Sequence, residues 1–246
     1  MTFHCPKALS QHRRAGIAVL MLLTAACAKP ATTIAPGGSM DVLGPVPALV
    51  PNPVPGDWIT QGTPAPGQLA VVDLGGVPAL KVINGQASLI TVKPAQASLL
   101  ATPYLSWAWN MEPQEDGPHP VRLLVGFYRG NPGTRTWGAN LARPKGALPD
   151  HDRALSVVWG SSALQRGSIA TPKSAKGLQP AARYTARGGQ ENTGTWWFET
   201  IDLSDIYRRT WPKDDVGRAQ ITFIGIAAAP GKAPATGYFS GLRLSR

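Results

Sequence analysis

Three carboxylates and a histidine fall within eight residues in EPQEDGPH, positions 112–119: Glu112, Glu115, Asp116 and His119. Oxygen donors gathered on one loop suit Ca²⁺, a hard cation that takes six to eight oxygen ligands. A carboxylate pair, Glu112 with Glu115 or Asp116, equally matches the two acids that flank a scissile sugar bond. The third reading is a solvated acidic turn between two strands. No metal centre is expected, with Glu112, Glu115 and Asp116 the residues to watch. Beyond the first 26 residues only His119 and His151 remain as histidines. G-x-S-x-G, H-E-x-x-H and phosphate-cradling glycine loops are missing from the sequence, so the chain reads as a binding protein and no cofactor is expected.

Aromatic and basic side chains are the richer supply. All eight tryptophans lie after residue 56. Trp107 and Trp109 share a parity that suits a core. Trp196 and Trp197 are adjacent, so on a strand they point to opposite faces. We take Trp197 as the exposed one, a platform of the kind that holds a sugar ring, with Trp137 in the basic loop NPGTRTWGAN as a second. Between Tyr128 and Gln190 ten bases face two acids. Such a patch attracts acidic glycans, phosphorylated lipid headgroups or nucleic acid, and outside the cytoplasm nucleic acid is not expected as the partner. Arg122, Tyr128, Arg129, Arg135, Trp137, Arg143 and Trp197 are therefore the expected ligand-binding residues, and an acidic polysaccharide or lipopolysaccharide the expected partner.

The extracytoplasmic setting comes from the N-terminus. In HRRAGIAVLMLLTAAC a basic pair precedes an apolar run and a small-residue site, the pattern of a secretory signal. The run is shorter than the roughly 20 residues a spanning helix needs. Cys27 after Thr24-Ala25-Ala26 resembles the lipobox of bacterial lipoproteins, with Thr24 where leucine is usual. That resemblance implies lipidation at Cys27 and attachment to a membrane; Ala28, in place of aspartate, implies the outer membrane, facing the periplasm. Without lipidation the protein is periplasmic or secreted. Loss of Lys7, Arg13 and Arg14 with residues 1–26 lowers the formal charge from +10 to +7. Cys5 goes too, which leaves Cys27 the only thiol and excludes intramolecular disulfides.

These groups need a scaffold, and the sequence supplies strands. Residues 27–56, with seven prolines in 28–56 and no aromatic residue, read as a spacer. From 57 onward short β-branched and aromatic runs alternate with Gly and Pro. Strands are predicted at 68–73, 77–83, 87–93, 104–111, 121–128, 154–159, 194–201, 219–228 and 236–244. One short helix is predicted at 203–211, capped by Ser204 and stopped by Pro212. This indicates one all-β domain over 57–246, an antiparallel β-sandwich or jelly roll. Period-two alternation puts Leu105, Trp107, Trp109 and Met111 on one core face, and Val121, Leu123, Val125 and Phe127 on another.

LSWAWNMEPQEDGPHPVRLLVGFY, then ALSVVWG, WWFETIDLSDIYRRTW and ITFIGIAAAP, resemble in order the bacterial family known as domain of unknown function 3047. The positions that match are Leu105, Trp107, Trp109, Asp116, Arg122, Phe127, Trp159, Gly160, Trp196 or Trp197, Glu199 and Asp205. The resemblance spans about 57–246 and implies a jelly roll similar to carbohydrate-binding modules. Two departures stand out: Pro118-His119-Pro120 precedes the arginine strand where the family tends to carry an Asp pair, and 227–237 has no carboxylate where the family has an acidic turn. The leading expectation is a lipid-anchored sandwich that binds an envelope glycan or acidic polymer without turnover. The alternatives are a glycan hydrolase or lyase using the 112–119 carboxylates, and a structural partner in an envelope assembly.

Overall fold

Alternation along the two central strands sets the core. In β6 (Tyr104–Met111) and β7 (Val121–Tyr128) the eight residues expected inside are all fully buried. The computed structural model describes residues 1, 38–44, 57–114, 117–129, 146–172 and 180–246. The chain divides into two units, 1–30 and 31–246, and the sandwich belongs to the second.

The remaining strands are β1 (Ser39–Asp41), β2 (Ile59–Gln61), β3 (Leu69–Leu74), β4 (Val77–Ile83), β5 (Leu89–Ser98), β8 (Arg153–Gly160), β9 (Ile169–Ala170), β10 (Ala182–Gly188), β11 (Trp197–Asp202), β12 (Gln220–Ala228) and β13 (Thr236–Ser245). They form two sheets. One runs β11-β6-β13-β4-β3, with β1 also on β13; the other runs β2-β5-β12-β7-β8-β10-β9. The all-β sandwich is as expected, with one exception to its antiparallel rule: β8 and β10 pair in parallel. A parallel pair needs a crossover of a dozen or more residues, and the chain from 161 to 181 supplies it, with β9 turning back antiparallel onto β10 on the way.

Between the sheets Trp109 stands edge-on to Trp107 and to Trp159, at ring-centroid distances of 5.3 and 5.4 Å. Burying such rings in edge contact contributes beyond their area alone. At the far end of the core Phe127, Tyr207 and Trp211 pack together, with centroids 4.9–6.0 Å apart. Tyr207 belongs to α1 (Leu203–Thr210), which buries Ile206 and Tyr207 against the sandwich.

Two local expectations are corrected. The cap of α1 is Asp202, whose carboxylate accepts from the Ser204 and Asp205 backbone N–H groups at 2.8 and 3.1 Å. Ser204 sits inside the first turn and donates its hydroxyl to the same carboxylate at 2.6 Å. Burial opposes the Asp202 charge, but these hydrogen bonds outweigh it and hold its pKa below the usual carboxylate range. The second correction falls in the expected spacer. Residues 39–41 pair with the last strand, and Met40, Val42 and Leu43 are buried in the main core. A short alternating SMDVL run between Gly38 and Gly44, both at positive φ, is enough to return the chain to the sheet.

Candidate functional site: a cationic cleft at one end of the sandwich

β7 begins at the loop that closes β6, so its second residue, Arg122, lies at one end of the sheet. Its neighbours Val121 and Leu123 point into the core, which turns Arg122 to the outer face. It lines a cleft of about 810 Å³. Val158 of β8 and Arg183 of β10 supply the rest of the sheet wall. Pro118, His119 and Pro120 form a second wall, and residues 229–235, with Lys232, form a third. That last wall is part of 227–237, the segment without a carboxylate. Among the described residues that line the cleft there is no Asp or Glu.

Arg122 is half-buried, and its Nε is fully shielded from solvent with no hydrogen-bond partner among the described residues. Burial, then the positive charge of Arg183, lower its pKa below the usual arginine value. A guanidinium carries five N–H donors and no acceptor, so this arrangement offers donors and positive charge to whatever enters. Burying a cation without a counter-charge is costly unless an anion compensates it.

His119 is 2% exposed. Its Nδ1 accepts the Val121 N–H at 3.1 Å, and its own backbone N–H is held by the Trp159 carbonyl at 2.9 Å. Nε2 is buried without a partner among the described residues. Desolvation lowers its pKa to about 4, against smaller raising effects from the Val121 and Thr236 backbone and the Glu112 charge. At neutral pH it is therefore an uncharged brace between the Trp159 backbone of β8 and the root of β7.

The other expected site residues are scattered. Tyr128 ends the strand that Arg122 begins, six residues or about 20 Å along it. Arg129 follows, and it is committed elsewhere: its Nε donates to Asp152 at 2.9 Å and its Nη1 to Asp214. Arg153 donates to the same Asp214 at 2.9 Å, so these cations and carboxylates neutralise one another. Trp197 reverses the expected parity. It packs against the main core, its indole N–H donates to the Asn192 carbonyl at 2.9 Å, and the Arg187 guanidinium covers its ring at 3.7 Å. Its ring is thus engaged by Arg187 and the core while the residue stays partly buried. Phe198, its neighbour, is 70% exposed instead.

Glu112 accepts from the Tyr238 hydroxyl at 2.6 Å; burial and this contact together push Tyr238 up to about 12. Glu112 lines a smaller pocket next to the cleft. Among the described residues no group of three His, Cys, Asp or Glu converges for a metal. Cys27, Glu115, Asp116, Arg135, Trp137 and Arg143 lie outside the described residues. Of the expected ligand residues that are described, Arg122 alone lines the cleft. Arg183, one of the ten bases between Tyr128 and Gln190, and Lys232 join it, neither having been singled out as a ligand residue. Recognising Arg183 requires β10, and ARYTARG carries too little apolar alternation for that; Lys232 requires the fold to bring 229–235 beside β7.

No family model matches the chain, and no curated protein sequence does. Among solved structures the chain is similar to a promiscuous carbohydrate-binding module of the β-sandwich superfamily (12% identity, TM-score 0.36), covering 78% of this chain and 58% of that one. It is similar also to the family 30 carbohydrate-binding module of a cellulosomal cellulase from Clostridium thermocellum (13%, TM-score 0.36, 78% of this chain and 87% of that one). A family 12 xyloglucanase from Bacillus licheniformis is a third (8%, TM-score 0.41, 85% and 93%).

Proposed function

We propose that the protein is a lipid-anchored envelope lipoprotein whose β-sandwich binds an anionic polysaccharide in the cleft around Arg122, without turning it over. The observation that carries this is the Arg122 guanidinium: partly desolvated, without a counter-ion among the described residues, and facing an 810 Å³ cleft whose described lining has no carboxylate. That volume lies in the range of small-molecule sites, so the cleft holds one or a few sugar units rather than a folded partner. Arg is the side chain best matched to planar carboxylate and to phosphate. The signal and Cys27 support an envelope location, and the resemblance to domain of unknown function 3047 supports a jelly roll of this kind.

A glycan array spanning uronate-bearing, phosphorylated and neutral oligosaccharides tests the binding, with a lipopolysaccharide pull-down beside it. Binding restricted to the anionic members, weakening as salt rises, is expected. Absence of binding at both low and moderate salt overturns it. Turnover of any polysaccharide, lost in Glu115→Gln or Asp116→Asn, overturns the non-catalytic part. Palmitate labelling with and without globomycin tests the anchor; an unlabelled, freely soluble mature protein rejects it.

A further inference from the structure

Beside the cationic cleft lies a second, smaller pocket of about 230 Å³. The two share Gln114 and His119 in their walls, so they adjoin at these residues. Their chemistry differs. The cleft offers Arg122, Arg183 and Lys232, which only donate. The smaller pocket offers Glu112, Ser161, Gln190 and Thr193, and its oxygens can accept. Glu112 uses one carboxylate oxygen for Tyr238, which leaves the other; Gln190 spends its Nε2 on the Gln114 carbonyl, which leaves Oε1. Sugar hydroxyls are the donors that such oxygens suit. At 230 Å³ the pocket is smaller than an ordinary ligand site, so it serves as an annex and not as a site alone.

We infer that the annex is a neutral-sugar subsite: the bound glycan places an anionic residue in the Arg122 cleft and donates hydroxyls of the adjoining residue to Glu112 and Gln190. The inference rests on the proposed function and adds to it a minimum ligand length of two sugars and a direction, from acceptor-rich to donor-rich. The ligand thereby differs from a free anion, which would use the cleft alone.

Calorimetric titration of the full chain with glucuronate (the monomer) and with an aldobiouronic acid, glucuronate joined to one neutral hexose (the dimer), separates the two claims. Wild type is expected to bind the dimer at least tenfold more tightly than the monomer. Gln190→Ala is expected to remove most of that advantage while leaving the monomer unchanged, and Arg122→Ala to weaken both. Gln190 also links two loops, so Ser161→Ala, at an exposed position, is the second variant, with melting curves recorded for each. Equal affinity for monomer and dimer, or a dimer advantage untouched in both annex variants, overturns the subsite while the cleft stands. Failure of wild type to bind either ligand overturns the proposed function and the subsite with it.

Discussion

The Nε of Arg187 donates to Glu199 while the same guanidinium lies 3.7 Å from the Trp197 ring centroid. Arg187 is on β10 and Glu199 on β11, so the pair joins the two sheets where the sandwich would otherwise open. Glu199 is 3% exposed. Removing it in Glu199→Ala strands a largely buried cation, which costs roughly 3–5 kcal/mol. Arg166 donates to the same carboxylate at 2.9 Å, but its side chain is 58% exposed. Arg166→Ala is therefore expected to stay within about 1 kcal/mol of wild type. Urea unfolding of the two variants checks the ranking.

Asp214 has the corresponding place at the other end of the core. Its side chain is 7% exposed; it accepts from Arg129 and Arg153, and from the Tyr207 hydroxyl at 3.2 Å. Burial first, and then the Asp214 charge, push the Tyr207 phenol above its ordinary range. Asp214→Ala leaves two guanidiniums and a phenol short of an acceptor, and a loss of roughly 3 kcal/mol or more is expected. If Arg129 were instead a ligand group held ready, the variant would keep its stability and change binding. Chemical denaturation beside glycan titration tells these apart.

His119 makes stability depend on pH. Its folded pKa of about 4 lies below the ordinary histidine value of 6.5, so between these values the unfolded chain binds a proton that the folded chain refuses. Its contribution to stability is complete above about pH 6.5 and is lost as pH falls toward 4, by roughly 3 kcal/mol in total. His119→Gln should flatten that part of the curve. A wild-type melting temperature that stays constant from pH 7 to 4.5 would contradict this.

Strand identity was legible wherever alternation was strict: 104–111 and 121–128 match β6 and β7 at both ends, because eight residues of clear parity leave one way to bury Trp107, Trp109, Val125 and Phe127. β10 was not legible, since ARYTARG alternates charge and small residues and owes its place to a parallel partner far back in the sequence. The Trp196-Trp197 pair shows the limit plainly. Sequence dictates opposite faces, but which face is inner depends on register, and the pairing of Trp197 with Trp109 and of Glu199 with Trp107 settles it. The site was legible only in part for the same reason. Arg122, Tyr128 and Arg129 are close in sequence, yet a strand's length puts the last two at the opposite end, whereas Arg183 and Lys232 reach Arg122 through tertiary contacts alone.

Arg122 offers the most direct test of the account. A partly desolvated cation without a counter-ion among the described residues costs the apo protein stability and serves only the bound state, so Arg122→Met should melt at or above the wild-type temperature while losing at least tenfold in affinity for the aldobiouronic acid. A variant that binds the aldobiouronic acid as wild type does would contradict the assignment of the cleft.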